Sequence, residues 1–175
     1  MAHEKSVFIS AGHSTSDPGA VYFGRKESEI VSDFRNMVAF YLRRAGIKFE
    51  ADGTGNENKP LAYAIARARE HVLAIEFHCN AAANPAATGV EVLCNKKDAE
   101  FSSLLSIDIA SALGLRNRGA KPENAGQHSR LGFIRAGGII VELFFLSNAV
   151  DLAAYDARKL LAAKAVANCI IWNFL

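Results

Sequence analysis

Three short apolar runs constrain the fold of this chain most strongly, because each is partly β-branched and each ends at a chemically reactive side chain. The first run reaches His13 through a glycine, the second ends at His78, and the third ends at Glu142. These runs cover residues 7–11, 72–77 and 138–141. Such runs are typical of buried strands, and in open α/β sheets ligands bind beyond the carboxyl ends of the strands. The three ends therefore predict one shared site.

The segments between these runs alternate between helical and extended patterns. Apolar residues recur at helical spacing in four segments, which lie near residues 30–41, 61–68, 104–113 and 152–170. Further short strands are predicted around residues 47–50 and 89–93. The resulting order, βαβαββαβα, predicts an α/β fold with a mostly parallel twisted sheet and helices on both faces. Because there is no repeat and no linker, we expect residues 1–175 to form a single domain.

Two segments leave their role open. The polar stretch 114–131, which is punctuated by glycine, is predicted to be a functional loop. The C-terminal helix carries Lys159, Lys164 and an apolar tail that includes Trp172. This pattern favours a helix that covers the sheet, but an amphipathic segment that disturbs membranes would have the same pattern.

Composition excludes several classes of protein. The net charge of +2 is too small to indicate a partner nucleic acid. No apolar run approaches the roughly 18 residues that a transmembrane segment needs, and the polar start of the chain lacks the pattern of a signal peptide. We therefore expect synthesis in the cytoplasm and delivery to any external target by another route. The three cysteines are spread without a CxxC motif, which predicts buried free thiols.

The strand that ends near His78 carries the most informative group of side chains. Alternation along a strand places Glu76, His78 and Asn80 on one face. A lone histidine on an apolar strand is usually a core residue, but a neighbouring carboxylate and amide favour a functional role. Glu27 follows His13 at the start of the next predicted helix, from which its carboxylate can reach back over the strand end.

Two histidines and one carboxylate from separate elements are typical of a catalytic zinc site when room is left for water. The same three ligands describe the facial triad of non-haem iron oxygenases, so the residue types alone leave both metals open. Glu142 favours hydrolysis, because a carboxylate that is not a ligand can take a proton from activated water and pass it to a leaving amine. An oxygenase of that class would also be expected to have an all-β jelly-roll fold.

Several short motifs, taken in order along the chain, resemble one family. They are Ala11-Gly12-His13, Asp17-Pro18-Gly19-Ala20, Glu27, Phe77-His78-Cys79-Asn80-Ala81, and Val141-Glu142 followed by Phe145-Leu146-Ser147-Asn148. Together they resemble the zinc-dependent N-acetylmuramoyl-L-alanine amidases of the amidase type 3 branch, which is found in bacterial cell-wall amidases and phage endolysins. The resemblance implies Zn²⁺ held by His13, Glu27 and His78, with Glu142 as the catalytic glutamate. The implied reaction cleaves the amide between N-acetylmuramic acid and the L-alanine of the peptidoglycan stem peptide.

Three positions near the site need separate interpretation. Glu76 stands where the family usually has a small polar residue, so it either orients His78 or is a solvated neighbour. Glu29 rivals Glu27 as the metal ligand, and the spacing in the family favours Glu27. Asp151 fits the family pattern after the catalytic strand and is expected to start a helix.

Candidate substrate-binding residues follow from their positions alone. Asn80 and Glu76 share a strand face with a predicted ligand, while Arg118, Lys121 and His128 lie in the polar stretch before the last strand. The two cations either meet the carboxylates of a stem peptide or are solvated loop charges.

The biological role implied by the resemblance is that of a phage or prophage endolysin with peptidoglycan as its substrate. We expect a monomer that reaches the cell wall from the cytoplasm by a holin-type route. Two alternatives stay open at this point. One is a bacterial amidase that remodels the cell wall, and the other is a zinc-containing wall-binding module without catalysis.

Overall fold

The computed structural model describes residues 7–125 and 131–173. The strands are β1 (Val7–Ala11), β2 (Val21–Tyr22), β3 (Arg25–Lys26), β4 (Phe49–Ala51), β5 (Leu73–Asn80), β6 (Val90–Leu93), β7 (Asn117–Lys121) and β8 (Ile139–Phe145). The α-helices are α1 (Glu27–Arg44), α2 (Leu61–Ala68), α3 (Ala99–Leu113), α4 (Gly132–Arg135) and α5 (Ala149–Asn173).

Six of the strands form one sheet, in the order β4-β1-β5-β8-β6-β7. Strands β4, β1, β5 and β8 run parallel to one another. Parallel neighbours need crossover connections, and α1 and α2 supply the first two of them. The mostly parallel α/β fold predicted from the sequence is confirmed. The three apolar runs become the adjacent strands β1, β5 and β8.

Helices cover both faces of this sheet. The larger core lies between one face and the helices α1, α3 and α5, with Phe34 and Phe77 fully buried in it. The smaller core lies on the other face, where α2 and α4 enclose Phe8 and Phe133. Because a strand alternates its side chains between faces, Phe8 and the residues on either side of it enter different cores.

The sheet departs from the predicted pattern at one edge. Strand β6 pairs with β8 in antiparallel orientation, and β7 pairs with β6 in parallel orientation. Strand β7 lies within the stretch 114–131, so the prediction that this whole stretch is a loop is wrong. An edge strand takes backbone partners on one side only and needs no apolar alternation. Its polar sequence, Asn-Arg-Gly-Ala-Lys, therefore carries no strand signal.

The helix α5 covers the sheet along its length. Tyr155 stacks on Phe144 of β8, with ring centroids 4.7 Å apart, and burial continues to Ile170. Within the described residues, no helix combines the length and apolar character needed to cross a membrane. The cysteines are buried free thiols, as predicted, at Cys79, Cys94 and Cys169.

Two polar side chains hold the start of α5. Asn148 caps the helix, because its Oδ1 accepts hydrogen bonds from the N–H groups of Val150 and Asp151 at 2.9 and 3.2 Å. The buried carboxylate of Asp151 accepts hydrogen bonds from the N–H groups of Gly89 and Phe145, each at 3.0 Å. Asp151 thus lies at the helix start, as expected, and also ties α5 to the ends of two strands.

Replacing Asp151 with alanine is expected to lower the free energy of unfolding by about 3 kcal/mol, because two buried N–H groups lose their acceptor. Asp156→Ala on the same helix is the matched control. Asp156 forms an exposed ion pair with Arg25, whose loss should cost less than about 1 kcal/mol. Urea unfolding measures both variants, and equal losses would contradict the role assigned to Asp151.

Candidate functional site

The candidate site lies where the carboxyl ends of three neighbouring parallel strands meet. His13 follows β1, His78 lies near the end of β5, and Glu142 of β8 is the register partner of His78. All three line one cavity of about 560 Å³, together with Glu27 from the start of α1. The structure therefore brings together the three predicted ligands and the predicted base.

His13, Glu27 and His78 direct three possible metal-ligating atoms toward one another. These atoms all lie within 4.8 Å of one another. Glu27 Oε1 lies 2.9 Å from His13 Nε2 and 3.1 Å from His78 Nδ1. Two imidazole nitrogens and one carboxylate oxygen, beside an open cavity, are the donor set of catalytic zinc sites. The cluster is therefore able to hold a divalent transition metal.

The backbone around Glu27 fixes the position of its carboxylate. Oε1 accepts a hydrogen bond from the N–H of Cys79 at 2.9 Å, and Oε2 accepts one from the N–H of Ala20 at 3.0 Å. Glu27 is also the first residue of α1, where the helix dipole favours an anion. The rival ligand Glu29 is exposed and pairs with Lys26 at 3.0 Å instead.

Two glycines provide the space that this arrangement needs. A Cβ atom on Gly12 would lie 2.2 Å from the ring of His78, and one on Gly19 would lie 2.7 Å from both His13 and Glu27. Neither ring nor carboxylate has room to give way, because each is held by the others. The Ala-Gly-His and Asp-Pro-Gly motifs therefore have a steric reason for their glycines.

The backbone of His13 adopts a left-handed conformation, with φ at +66°. This region is uncommon for residues other than glycine, and such strain persists where the surroundings hold it in place. Asn58 does so here, since its Nδ2 donates to the carbonyls of Gly12 and His13 at 3.0 and 3.1 Å. Asn58 was not predicted, because its contacts are with backbone atoms and nothing in its polar segment marks it.

Each histidine has a second carboxylate at the ring nitrogen that faces away from Glu27. Asp17 Oδ2 lies 3.0 Å from His13 Nδ1, and Glu76 Oε1 lies 3.1 Å from His78 Nε2. Partners of this kind fix the tautomer and the orientation of a ligating ring. Glu76 is only 3% exposed. It is therefore a buried partner of His78 and not a solvated neighbour.

The charges of the cluster favour an ionised Glu27 between two basic rings. Burial would raise the pKa of Glu27, but hydrogen bonds and charges from His13 and His78 outweigh it and hold the pKa well below its usual range. Burial likewise opposes a charge on His13 and His78, yet Glu27 raises the pKa of both, with help from Glu76 at His78. Because a metal ion binds an unprotonated ring nitrogen, it competes with protons for these positions.

Glu142 lies in the opposite electrostatic environment. Its Oε2 is buried and has no hydrogen-bond partner within residues 7–125 and 131–173. Burial raises the pKa of Glu142 to about 7, and the charges of Glu27 and Glu91 act in the same direction while His78 opposes them. A base with a pKa near neutrality is suited to proton transfer at physiological pH.

Glu91 was not predicted, yet it lies directly opposite Glu142 in the antiparallel pair of β6 and β8. It is buried and lines the same cavity. Arg118 and Lys121 donate to Glu91 Oε2 at 2.5 and 2.6 Å, and Asn80 Nδ2 donates to Oε1 at 2.9 Å. Three of the predicted substrate-binding residues are thus arranged around one carboxylate, and contact with substrate stays a prediction for each.

Glu91 was missed because its importance arises only from strand pairing. Burial would raise its pKa, but Lys121 and Arg118 outweigh burial and lower it. These two partners belong to β7, or sit at its end, in the stretch that was predicted to be a loop. His128 lies outside the described residues, so its predicted contact with substrate also stays a prediction.

The raised pKa of Glu142 predicts that this residue destabilises the metal-free fold at alkaline pH. Above about pH 7 the folded protein must bury an ionised carboxylate, whereas the unfolded chain exposes it; below about pH 4 both states hold the proton. Glu142→Gln should therefore stabilise the chelator-treated protein by about 2 kcal/mol at about pH 8 and very little at about pH 4. Urea unfolding at both pH values measures this, and a pH-independent difference would contradict it.

Solved structures with the same fold span nearly the whole chain. A protein of Neisseria meningitidis with the provisional name N-acetylmuramoyl-L-alanine amidase is 44% identical, covers 95% of this chain and 93% of its own, and has a TM-score of 0.87. The catalytic domain of CwlV, an N-acetylmuramoyl-L-alanine amidase from Bacillus (Paenibacillus) polymyxa var. colistinus, is 22% identical and has a TM-score of 0.83. The match covers 95% of this chain and 96% of the CwlV domain. The catalytic domain of an endolysin targeting Clostridia difficile is 22% identical and has a TM-score of 0.77. The match covers 96% of this chain and 97% of the endolysin domain.

A search of curated proteins found no match to this chain. Residues 7–171, however, match the family described as N-acetylmuramoyl-L-alanine amidase. This match covers every strand, the helices up to the last two residues of α5, and every residue of the candidate site. The chain therefore belongs to the N-acetylmuramoyl-L-alanine amidases, the enzymes that hydrolyse an amide bond of peptidoglycan.

Proposed function

We propose that this chain is a Zn²⁺-dependent amidase that cleaves the bond between the lactyl group of N-acetylmuramic acid and the L-alanine of the stem peptide. One observation carries the proposal. The cluster of two histidines and Glu27 lines the same cavity as Glu142, whose Oε2 is buried without a partner in the described part of the chain. The mostly parallel sheet also argues against the iron oxygenase alternative, for which an all-β fold is expected.

The donor set supports zinc as the metal. His13, Glu27 and His78 supply two nitrogens and one oxygen, and the cavity leaves further coordination positions open. Bound there, Zn²⁺ would polarise the scissile carbonyl and lower the pKa of water to about 7. Asp17 and Glu76 hold the two rings from behind, so the ligands are already oriented before a metal binds.

Glu142 carries the proton through the reaction. As the water oxygen attacks the amide carbon, one water proton moves to Glu142 Oε2. Glu142 then donates this proton to the amide nitrogen while the carbon–nitrogen bond breaks. The products are the lactyl carboxylic acid and a stem peptide whose L-alanine has a free amino group. Oε2, which has no hydrogen-bond partner among the described residues, is available for both transfers.

Glu142→Gln is expected to slow amide cleavage by at least about 100-fold, because the proton acceptor is lost. The variant should still bind Zn²⁺, since Glu142 is not one of the three ligands. Mass spectrometry of products from purified sacculi, with metal analysis of the protein, measures both effects. Glu29→Gln, at an exposed carboxylate of the same region, is the control and should keep the wild-type rate.

Other outcomes separate the rival functions. Release of L-alanine-terminated peptides by Glu142→Gln at the wild-type rate would overturn the role of this residue. Muropeptides with intact lactyl amides from the wild type would overturn the assigned bond, and a protein that binds sacculi without any cleavage would be a wall-binding module. Iron in place of zinc in the active protein would overturn the assignment of zinc as the metal.

The biological role is the finer part of the proposal, and we infer a lytic role of the endolysin type. The motifs resemble a family that includes both phage endolysins and bacterial cell-wall amidases, and an endolysin catalytic domain shares the fold. An amidase that remodels the cell wall would need the same site and the same chemistry. The distinction therefore depends on how much of the wall the enzyme degrades.

A lytic role predicts that the isolated wild-type chain clears a suspension of whole sacculi by itself. Turbidity of the suspension measures this, and Glu142→Gln is the control that should leave it turbid. A wild-type chain that cleaves soluble muropeptides but leaves whole sacculi turbid would favour remodelling.

A further inference from the structure

A charged side chain that the proposed reaction does not use lies fully buried beside the site. Arg35 of α1 has no exposed surface, and neither have Ser10 and Asp52, while Glu76 is 3% exposed. We call these four residues, Arg35, Asp52, Ser10 and Glu76, the Arg35 network. Buried charges are costly unless each one is paired and hydrogen-bonded, so the arrangement of this network requires an explanation.

The sheet places three members of the network side by side. Ser10 of β1 is the register partner of Glu76 of β5, and Asp52 follows β4 on the other side of β1. Ser10 Oγ donates to Asp52 Oδ2 at 3.0 Å and lies 3.2 Å from Glu76 Oε2, to which it can donate instead. The hydroxyl of Ser10 therefore links two buried carboxylates across three strands.

Each end of the network is anchored. Arg35 Nη1 donates to Asp52 Oδ1 at 2.7 Å, and the N–H of Ala11 donates to Asp52 Oδ2 at 3.0 Å. At the other end, Glu76 Oε1 lies 3.1 Å from His78 Nε2. A path of polar contacts thus runs from a buried guanidinium to a ring whose opposite nitrogen, Nδ1, faces Glu27. Ser10 has a single hydroxyl proton, and because Asp52 already has Arg35 and Ala11 as donors, this proton is available to Glu76 Oε2.

We propose that Arg35, Asp52 and Ser10 are positioning residues that act through Glu76 on His78 and raise the affinity of the site for Zn²⁺. This inference rests on the zinc site of the proposed function. When Glu76 holds the proton of Nε2, the lone pair of His78 Nδ1 is presented to the metal. Ser10 keeps Glu76 in place because it is the partner of Oε2, the oxygen that His78 does not use.

Ser10→Ala isolates this effect, because it removes one hydroxyl and leaves the size of the buried side chain nearly unchanged. We expect the dissociation constant for Zn²⁺ to rise about tenfold, the lower range for the loss of a partner that orients a ligand. Competition with a chromophoric chelator measures it. Ser106→Ala is the matched control, since Ser106 is equally buried and donates to Asn117 Oδ1 at 2.6 Å, outside the network.

A double-mutant cycle distinguishes action through Glu76 from a general loss of stability. In the Glu76→Ala background, Ser10→Ala should change the dissociation constant by less than about twofold, because the link to His78 is already broken. A further tenfold rise in the dissociation constant for Zn²⁺ in that background would overturn the proposal. A Ser10→Ala protein that binds Zn²⁺ as tightly as the wild type would also overturn it.

A second readout does not depend on metal. In ¹⁵N spectra of the metal-free wild type, the Nε2 of His78 should carry a proton, and Ser10→Ala should shift its signal while Ser106→Ala should not. No shift in Ser10→Ala would contradict the positioning role.

A wild type that binds no Zn²⁺ would contradict the zinc site itself and with it the proposed effect on affinity. Zinc bound equally by the wild type and Ser10→Ala would contradict the network alone.

Discussion

The carboxylate of Glu27 is the point on which the site depends. Its two oxygens accept backbone hydrogen bonds from Cys79 and Ala20, and Oε1 also lies against one nitrogen of His13 and one of His78. This single group therefore connects the start of α1, the loop after β1 and the end of β5. A buried anion is stable here only because a helix N-terminus and several donors surround it. The positions of both histidines follow from the same set of contacts.

Glu27 and Glu142, the two carboxylates of the cavity with proposed roles, differ because their surroundings differ. Donors surround Glu27, which lowers its pKa, whereas burial beside other anions raises the pKa of Glu142 to about 7. In the proposed reaction, one side chain type thus supplies both a permanent anion for a metal and an exchangeable proton for a leaving group. Glu91 contributes to this difference through its charge, and Arg118 and Lys121 make its burial possible.

The sequence predicted the parts of the molecule that local patterns encode. Apolar β-branched runs identify β1, β5 and β8, and the parallel arrangement of such strands places His13, His78 and Glu142 at one edge. Strand β6 was predicted from its apolar run, but its antiparallel orientation and the polar strand β7 were not, because strand pairing is determined by tertiary contacts. Glu91 and Asn58 were missed for the same reason. One acquires its role from an antiparallel register, and the other contacts only backbone carbonyls.

The buried carboxylate of Glu76 has an electrostatic cost that its neighbours reduce. A small polar residue at this position, as the resembling family usually has, needs no charge compensation. A buried glutamate does need it, and its cost falls when a cation is near and each oxygen has a donor. The guanidinium of Arg35 pairs with Asp52, which lies next to Ser10. Ser10 and His78 lie at the two oxygens of Glu76. Glu76 without Ser10 would leave one buried oxygen unpaired. The four residues therefore form one connected group of buried side chains, in which each contacts the next through a polar atom.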